Sequence, residues 1–269
     1  MVRASRSPEE GHFSKDSTFT SLMRVLILGG TGNAAELAAR VATIQGVDAI
    51  TSLAGRTREP SVPLGDLRVG GFGGVAGLAS YLQAMQIDLL IDATHPFASQ
   101  ISFNAADAAK EVGVPRLMLI RPPWEKGSGD RWMEVDNVEA AAASLQNQAH
   151  RVFLTVGRQE LAAFAHLEEI WFLMRMIDPP VDDALVPPGM VLCDRGPFNL
   201  NNERQILIDR KIDTIVSKNS GGDATKPKII AARELGVKVV MVNRPAIPPG
   251  EQVSDVEGAL VWLLEKLHN

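Results

Sequence analysis

The chain has 269 residues, of which 45% are hydrophobic and 22% are charged. This composition is typical of a globular protein with a sizeable core and excludes a disordered chain. The formal net charge of -5 excludes a generally basic nucleic-acid coat. The single cysteine, Cys193, excludes a disulfide framework within the chain and argues against a cysteine-based zinc site. It also favours a reducing compartment, which we expect to be the cytoplasm.

Residues 1–22 are polar and contain no apolar run that could serve as a secretory signal. No stretch of the chain approaches the roughly 20 apolar residues that a bilayer-spanning helix needs, so we expect no membrane segment. The first apolar strand starts directly after Met23. We therefore expect residues 1–22 to be a disordered extension outside the fold, or to precede the true start of the protein.

From Arg24 onward, short apolar runs alternate with helical patterns, which predicts parallel sheets with helices on both faces. In the first half, the predicted strands cover residues 25–28, 48–53, 88–92 and 116–120. The helices predicted between them cover residues 34–44, 75–85 and 97–112.

A polar stretch with two prolines over residues 121–131 interrupts this alternation and is predicted to be a linker. In the second half, the predicted strands cover residues 151–156, 171–177, 191–194, 213–217 and 238–242. The predicted helices cover residues 137–146, 160–166, 200–211, 226–235 and 256–267. The pattern predicts an α/β protein with two lobes on parallel sheets, over residues 23–125 and 126–269, and a cleft between them.

Glycine, arginine, lysine and threonine are concentrated directly after the predicted strands, where open parallel sheets bind their ligands. The first such segment is Gly29-Gly30-Thr31-Gly32, which forms a G-x-G-x-x-A motif with Ala35 between a strand and a helix. Glycines here allow a pyrophosphate to approach the helix N-terminus closely. We predict that this turn binds a dinucleotide; the alternative is a glycine-rich turn without a ligand.

The second predicted strand ends without the acidic residue that bonds the ribose of NAD about 20 residues after the glycines. Ser52, Gly55, Arg56 and Thr57 lie there instead. Hydroxyl and guanidinium groups suit the 2′-phosphate of NADPH. We therefore predict NADPH as the cofactor; in the alternative, Arg56 is only a solvated loop charge.

The segment Asp92-Ala93-Thr94-His95-Pro96 places a carboxylate, a hydroxyl and an imidazole directly after a strand. Pro96 disfavours the helical conformation at His95, which favours a position for the ring at the mouth of a pocket. His95 is therefore a candidate for proton transfer. In the alternative, Asp92 only caps a helix and His95 is an ordinary loop residue.

Cations follow strands in both predicted lobes, namely Arg121, Arg158, Arg195, Lys218 and Arg244. If both lobes present their strand ends to one cleft, these charges suit a ligand with many carboxylates or phosphates. The alternative is that they pair with acids or cap helix carbonyls, and we expect about half of them to touch the ligand.

Missing motifs exclude several enzyme classes. The single tyrosine, Tyr81, is followed four residues later by Met85, so the Tyr–Lys pair of short-chain dehydrogenases is absent. The sequence contains neither the G-x-x-x-x-G-K-[ST] phosphate loop nor the G-x-S-x-G nucleophile motif. The five histidines show no close metal-ligand spacing, so we predict no metal site.

Several segments together carry a resemblance to a known family. They read ILGGT (27–31), DATHPFA (92–98), TVGR (155–158), RGPF (195–198), SKNSGG (217–222) and RP (244–245). In this order, the chain resembles the precorrin-6A reductase family of cobalamin biosynthesis from Met23 to its C-terminus. Asn33 and Ala35 depart from the family pattern, which often has an acid and then an arginine at these places.

The resemblance implies a reductase that transfers hydride from NADPH to a double bond of precorrin-6A, giving precorrin-6B. The cobalt-containing counterpart is the substrate in the anaerobic branch. The resemblance also implies two Rossmann-like lobes with the cofactor and the acidic macrocycle between them. The residues leave open a reductase of another acidic conjugated substrate and a nucleotide-sensing module without chemistry. They also leave the oligomeric state open.

The residues and the resemblance together give the predicted site. The cofactor-binding residues are Gly29, Gly30, Thr31, Gly32, Ser52, Gly55, Arg56, Thr57, Asp92, Ala93 and Thr94. The substrate-binding residues are His95, Arg121, Gly157, Arg158, Arg195, Gly196, Lys218, Asn219, Ser220, Gly221 and Gly222. The candidate catalytic residues are His95 and Lys218.

Overall fold

Two six-stranded parallel sheets organise the chain, and we call them the first and the second sheet. The computed structural model describes residues 22–55 and 65–268. The first sheet contains β1 (Met23–Leu28), β2 (Val47–Leu53), β3 (Asp66–Val69), β4 (Leu89–Asp92), β5 (Arg116–Leu119) and β12 (Glu251–Val253). The second sheet contains β6 (Trp132–Val135), β7 (Arg151–Thr155), β8 (Trp171–Met176), β9 (Gly189–Cys193), β10 (Thr214–Lys218) and β11 (Lys238–Val242).

Helices cover both faces of each sheet. The helices of the first lobe are α1 (Gly32–Val41), α2 (Gly74–Ala84), α3 (Ser99–Val112) and α7 (Val256–Leu267). Those of the second lobe are α4 (Val138–Leu145), a 3₁₀ helix (Arg158–Phe164), α5 (Leu200–Asp209) and α6 (Pro227–Leu235). None of the helices in the described ranges is long and apolar enough to cross a bilayer.

The apolar run of β1 shows why the sequence folds as a parallel sheet. Val25 and Ile27 point to one face and pack in a core cluster with residues of α1 and α7. Leu26 and Leu28 point to the other face and pack with residues of α2 and α3. A strand that is covered on both faces must be apolar at every position, which a half-exposed antiparallel strand need not be.

The strand orders reveal the same topology in both lobes. The first sheet has the order β12-β5-β4-β1-β2-β3, which is the 3-2-1-4-5-6 order of dinucleotide-binding sheets. The second sheet has the order β9-β8-β7-β10-β11-β6, so β7 to β11 repeat the 1-to-5 pattern. The two sheets differ in where their sixth strand comes from. In the second sheet it is β6, which precedes β7 in the sequence. In the first sheet it is β12, which follows all strands of the second sheet.

This difference corrects the predicted domain boundary, which placed all of residues 126–269 in the second lobe. Strand β12 pairs with β5, and helix α7 contributes Ala259 and Leu263 to the core cluster that contains Val25. The amphipathic pattern of α7 predicts a buried face but does not specify which sheet covers it. Of the predicted extension over residues 1–22, all but Leu22 lies outside the described residues.

Three further elements were not predicted as strands. These are β3, β6 and β12, which all occupy the edges of their sheets. Within them, only Trp132 is buried. The predicted helix over residues 160–166 is a 3₁₀ helix that begins and ends two residues earlier.

Candidate active site

The two lobes meet where the carboxyl ends of β4, β5 and β10 come together. Arg121, which follows β5, donates from Nε to the carbonyl oxygens of Ser220 and Gly221 beyond β10, at 2.8 and 3.0 Å. Lys218 Nζ lies 5.2 Å from the ring centroid of Phe97, which follows β4. We call the region around His95, Phe97, Arg121, Lys218 and Arg244 the inter-lobe site.

The glycine turn links β1 to α1 next to this site. Gly30 has φ of +109°, a conformation that favours glycine. Thr31 caps α1: its Oγ1 accepts from the amide of Ala34 at 3.1 Å and donates to the carbonyl of Ala93 at 2.9 Å. The turn is thereby tied to the segment that carries His95.

The space above this turn is open. A Cβ added to Gly30 or Gly32 would meet no atom within 4 Å. Helix α1 has no acidic residue in its first turn, so its free N–H groups and its dipole favour an approaching anion. The turn therefore fits the pyrophosphate of a dinucleotide.

The end of β2 lies directly beside the glycine turn. The amide of Gly29 donates to the carbonyl of Ser52 at 2.9 Å. The Ser52 side chain is buried and accepts from Nη1 of Arg68, on the neighbouring β3, at 3.3 Å. The predicted residues Arg56 and Thr57 lie outside the described residues.

Asp92 lies beneath the turn that follows β4. Its side chain is only 1% exposed, and its Oδ1 accepts from the amide and the hydroxyl of Thr94 at 3.1 and 2.6 Å. Oδ2 has no hydrogen-bond partner among the described residues. Asp92 thus shapes its own turn, and it does not cap α3, whose N-terminal cap residue is Ala98.

His95 is held as a neutral ring. Its Nδ1 accepts from the amide of Phe97 at 3.2 Å, which leaves the ring proton on Nε2. Burial, and then the charges of Arg121, Lys218, Arg244 and Lys228, together lower the pKa of His95 to about 3. At neutral pH the ring is therefore an uncharged hydrogen-bond donor, which disagrees with a role as an imidazolium acid.

Lys218 is paired with an acid of its own lobe. Its Nζ lies 2.5 Å from Oε1 of Glu160, which belongs to the 3₁₀ helix after Gly157. The Lys218 side chain is 14% exposed and faces the ring of Phe97. The ion pair agrees with the alternative that the sequence left open, and a contact of Lys218 with substrate stays a prediction.

Arg121 and Arg244 fasten the SKNSGG loop (217–222) to the first lobe. Arg244 donates to the carbonyls of Asn219, Arg121 and Ser220 at 2.8, 2.8 and 3.0 Å. Burial, and then the charge of Arg121, lower the pKa of Arg244 to about 10, so its guanidinium group remains charged at neutral pH. Burial lowers the pKa of Arg121 as well. Both residues therefore place positive charge at the site while their N–H groups donate to backbone carbonyls.

Trp124 forms further hydrogen bonds with the SKNSGG loop. Its backbone amide and carbonyl exchange hydrogen bonds with the side chain of Asn219 at 2.8 and 3.0 Å, and its Nε1 donates to the carbonyl of Gly222. Gly221 has φ of +67°, and an added Cβ would lie 2.0 Å from the carbonyl oxygen of Pro122. Asn219 and Gly221 thus pack against residues 122–124, in the segment that connects the two lobes, and we call this set of contacts the joint.

The remaining predicted residues follow β7 and β9. Gly157 has φ of +111°, and Nη1 of Arg158 donates to the carbonyl of Pro179 at 3.2 Å. Arg195 is exposed, and its backbone amide donates to Oδ1 of Asp194 at 2.8 Å. Gly196 precedes Pro197 through a cis peptide bond.

Three residues of this region were not predicted. Glu160 and Trp124 contact predicted residues, but a lone acid in a helix and a tryptophan in a linker carry no distinctive signal. Arg68 was missed because β3 was missed. The glycine-rich stretch over residues 70–74, which begins directly after Val69, could have marked another strand end.

The family model of precorrin-6x reductase CbiJ/CobK matches residues 24–264, which is nearly the whole chain. The chain belongs to this family. The resemblance that the sequence motifs suggested is therefore confirmed.

Individual proteins that are similar to this chain support the family membership. The precorrin-6A reductase of Rhodococcus erythropolis is 49% identical over 243 residues, which cover 90% of this chain and 98% of that protein. The cobalt-precorrin-6A reductase of Priestia megaterium is 27% identical over 253 residues, covering 87% and 95%. The solved structure of CobK precorrin-6A reductase matches with a TM-score of 0.86 and 40% identity over 91% of this chain and 97% of that one. The predicted α/β fold with two Rossmann-like lobes is thus confirmed.

Proposed function

We propose that this member of the family is an NADPH-dependent reductase that converts precorrin-6A into precorrin-6B in cobalamin biosynthesis. The observation that carries the proposal is the hydrogen bond from the Thr31 hydroxyl to the carbonyl of Ala93. It joins an open, anion-accepting glycine turn to the segment that presents His95 to the charged inter-lobe site. This hydrogen bond supports placing the proposed cofactor site next to the proposed site for an acidic ligand.

The chain's own residues suit the cofactor. The N–H groups at the start of α1, with Gly30 and Gly32 leaving open space, would hold the pyrophosphate. Ser52, Gly55, Arg56 and Thr57 are proposed for the adenosine ribose and its 2′-phosphate, and Asp92 to Thr94 for the nicotinamide half. When bound, NADPH supplies the hydride.

The second half of the site suits a ligand with several carboxylates. Arg121 and Arg244 contribute charge from the joint. Arg158 and Arg195 follow β7 and β9, and Lys218 is the last residue of β10. Carboxylate arms bind such cations through charge-assisted hydrogen bonds. The macrocycle precorrin-6A carries acetate and propionate arms, as the resemblance implies.

His95 and Lys218 receive different roles. His95, neutral at neutral pH, donates from Nε2 and can orient a polar group of the substrate or the cofactor without releasing its proton. Lys218 holds ammonium protons next to Glu160, so it is the candidate source of the proton that completes the reduction. Glu160 keeps the Lys218 Nζ fixed beside Phe97.

A second candidate substrate is the cobalt-containing macrocycle, because a relative with 27% identity is a cobalt-precorrin-6A reductase. The relative with 49% identity is named for the metal-free substrate, which is why we favour that one.

The test is to incubate the purified protein with NADPH and precorrin-6A under anaerobic conditions. We expect NADPH absorbance to fall only when precorrin-6A is present, and the product to be heavier than the substrate by two hydrogens. Parallel reactions with NADH and with cobalt-precorrin-6A rank the cofactors and the substrates. Tight NADPH binding without any turnover of either macrocycle would instead favour a nucleotide-sensing module.

A further inference from the structure

Arg68 lies at the end of β3, beside the strand that carries the predicted ribose-binding residues. It is paired in register with Ser52 of β2. Its Nη1 donates to Oγ of Ser52 at 3.3 Å, and the carbonyl of the same serine accepts from Gly29 at 2.9 Å. A single residue therefore separates the guanidinium group from the glycine turn.

Two aromatic rings and two backbone carbonyls hold the guanidinium group of Arg68. Its central carbon lies 3.8 Å from the ring centroid of Phe72 and 5.1 Å from that of Tyr81. Nη1 and Nη2 donate to the carbonyls of Gly70 and Gly71 at 2.6 and 2.8 Å. A group fixed in this way loses little conformational entropy when it binds an anion.

The positive charge of Arg68 is not neutralised by these contacts. Among the described residues, its hydrogen-bond acceptors are two carbonyls and a hydroxyl, and no carboxylate forms an ion pair with it. An arginine has five N–H donors, so two of them are left by these three bonds. The side chain is partly exposed. Arg68 is thus a fixed, partly desolvated cation with two N–H groups that these three bonds do not use.

The strand order places this cation at a defined part of a dinucleotide. In a sheet with the order 3-2-1-4-5-6, the ribose of the adenosine half lies at the end of the second strand. An acid there bonds the 2′-hydroxyl of NAD, whereas a nearby arginine accommodates the 2′-phosphate of NADP. Neither Ser52 nor the residues directly around it that are described supply an acid.

We propose that Arg68 binds the 2′-phosphate and sets the preference of the protein for NADPH over NADH. The inference rests on the proposed function, because it concerns the same cofactor. Ser52 takes part: its oxygen accepts from Arg68, so its hydroxyl proton is available to the phosphate. The rings of Phe72 and Tyr81, which both contact the guanidinium group, keep it in place.

The test compares Arg68→Met with the parent by calorimetric titration of NADP⁺ and NAD⁺, together with the melting temperature. We expect the variant to bind NADP⁺ about ten- to a hundredfold more weakly, as is usual for a lost charge-assisted phosphate contact. NAD⁺ affinity should change less than about twofold, since NAD⁺ lacks the 2′-phosphate that the arginine would bind. The fragments 2′,5′-ADP and 5′-AMP should show the same contrast.

Two further variants keep the test decisive. Arg24→Met is the matched control: Arg24 lies at the amino end of β1 and pairs with Asp48, so its loss should not alter the ratio of the two affinities. Arg68→Lys keeps the charge without the planar fork, and we expect it to retain part of the preference for NADP⁺ even if Arg68→Met folds poorly.

The outcomes separate the inference from the proposed function. Equal weakening of NADP⁺ and NAD⁺ with early melting would mean that Arg68 only braces the loop over residues 70–74, and the inference would be wrong. Unchanged NADP⁺ binding in Arg68→Met would also overturn it, while NADPH dependence would stand. If the parent itself binds neither nucleotide, the proposed function fails.

Discussion

The backbone amide of Phe97 donates a hydrogen bond to Nδ1 of His95 at 3.2 Å. This contact fixes the tautomer of the ring, since the proton must then reside on Nε2. The same short segment places Phe97 against Lys218 of the second lobe. One turn after β4 thus sets the state of His95 and forms part of the contact between the lobes.

The pH dependence of stability should report the neutral state of His95. Its pKa is lowered from 6.5 to about 3 in the folded protein, first by burial and then by the neighbouring cations. Between these two values the unfolded chain binds a proton that the folded chain does not, so the free energy of unfolding rises with pH. In His95→Asn this contribution should vanish. Urea titrations at pH 5 and pH 7 measure it, and an equal pH dependence in variant and parent would contradict the neutral ring.

The pair of Lys218 and Glu160 should give opposite effects in its two variants. Lys218→Ala removes the cation and should lower kcat/KM for precorrin-6A by about ten- to a hundredfold, with NADP⁺ affinity unchanged. Glu160→Gln keeps the cation and releases it from its partner, so KM for the acidic substrate should stay equal or fall. Steady-state kinetics check both. A fall of kcat/KM in Glu160→Gln as large as in Lys218→Ala would show that the pair only supports the fold.

Gly221 should be required for the joint between the lobes. An alanine there would adopt φ of +67° and place its methyl group 2.0 Å from the carbonyl oxygen of Pro122. Gly236 also has φ of +67° but has no atom within 4 Å of an added Cβ, so Gly236→Ala isolates the backbone effect. We expect Gly236→Ala to lose about 1–2 kcal/mol of unfolding free energy and Gly221→Ala clearly more. Similar losses in urea titrations would mean that the joint yields to the methyl group.

Lys228 should make stability depend on pH in the alkaline range. It is buried against the ring of Trp124, and burial followed by the charge of Arg175 lowers its pKa from 10.5 to about 7. Between these values only the unfolded chain carries the proton, so the free energy of unfolding rises with pH. Lys228→Met should lose this rise, whereas Lys226→Met, at an exposed position of the same helix start, should keep it. Denaturation at pH 7 and pH 9 compares them; a rise that persists in Lys228→Met would contradict the buried neutral amine.

Much of the fold could be predicted because its central strands are apolar at every position. The run from Val25 to Leu28 admits few other interpretations, and the glycines after it mark where the strand ends. The edge strands β3, β6 and β12 have no such pattern, since solvent or a loop covers part of each. The return of α7 to the first sheet depends on contacts with residues more than two hundred positions away, such as the packing of Leu263 in the core cluster that contains Val25.

The sequence predicts which residues lie at the strand ends but not the hydrogen bonds that they form. Placing the cations at strand ends follows from the sequence, because ligands bind at the carboxyl edge of parallel sheets. The sequence does not indicate that Arg244 donates to backbone carbonyls, or that Glu160 forms an ion pair with Lys218. Arg68 shows the reverse case, in which a missed strand concealed a cation beside the predicted cofactor site.

The most direct test of the central claim follows hydrogen from the cofactor into the macrocycle. The protein is incubated anaerobically with precorrin-6A and NADPH that carries deuterium at both positions of C4, and the product is analysed by mass spectrometry. Hydride transfer predicts one deuterium and one solvent hydrogen in each molecule of precorrin-6B. Consumption of precorrin-6A without deuterium in the product, or no consumption at all, would contradict the account.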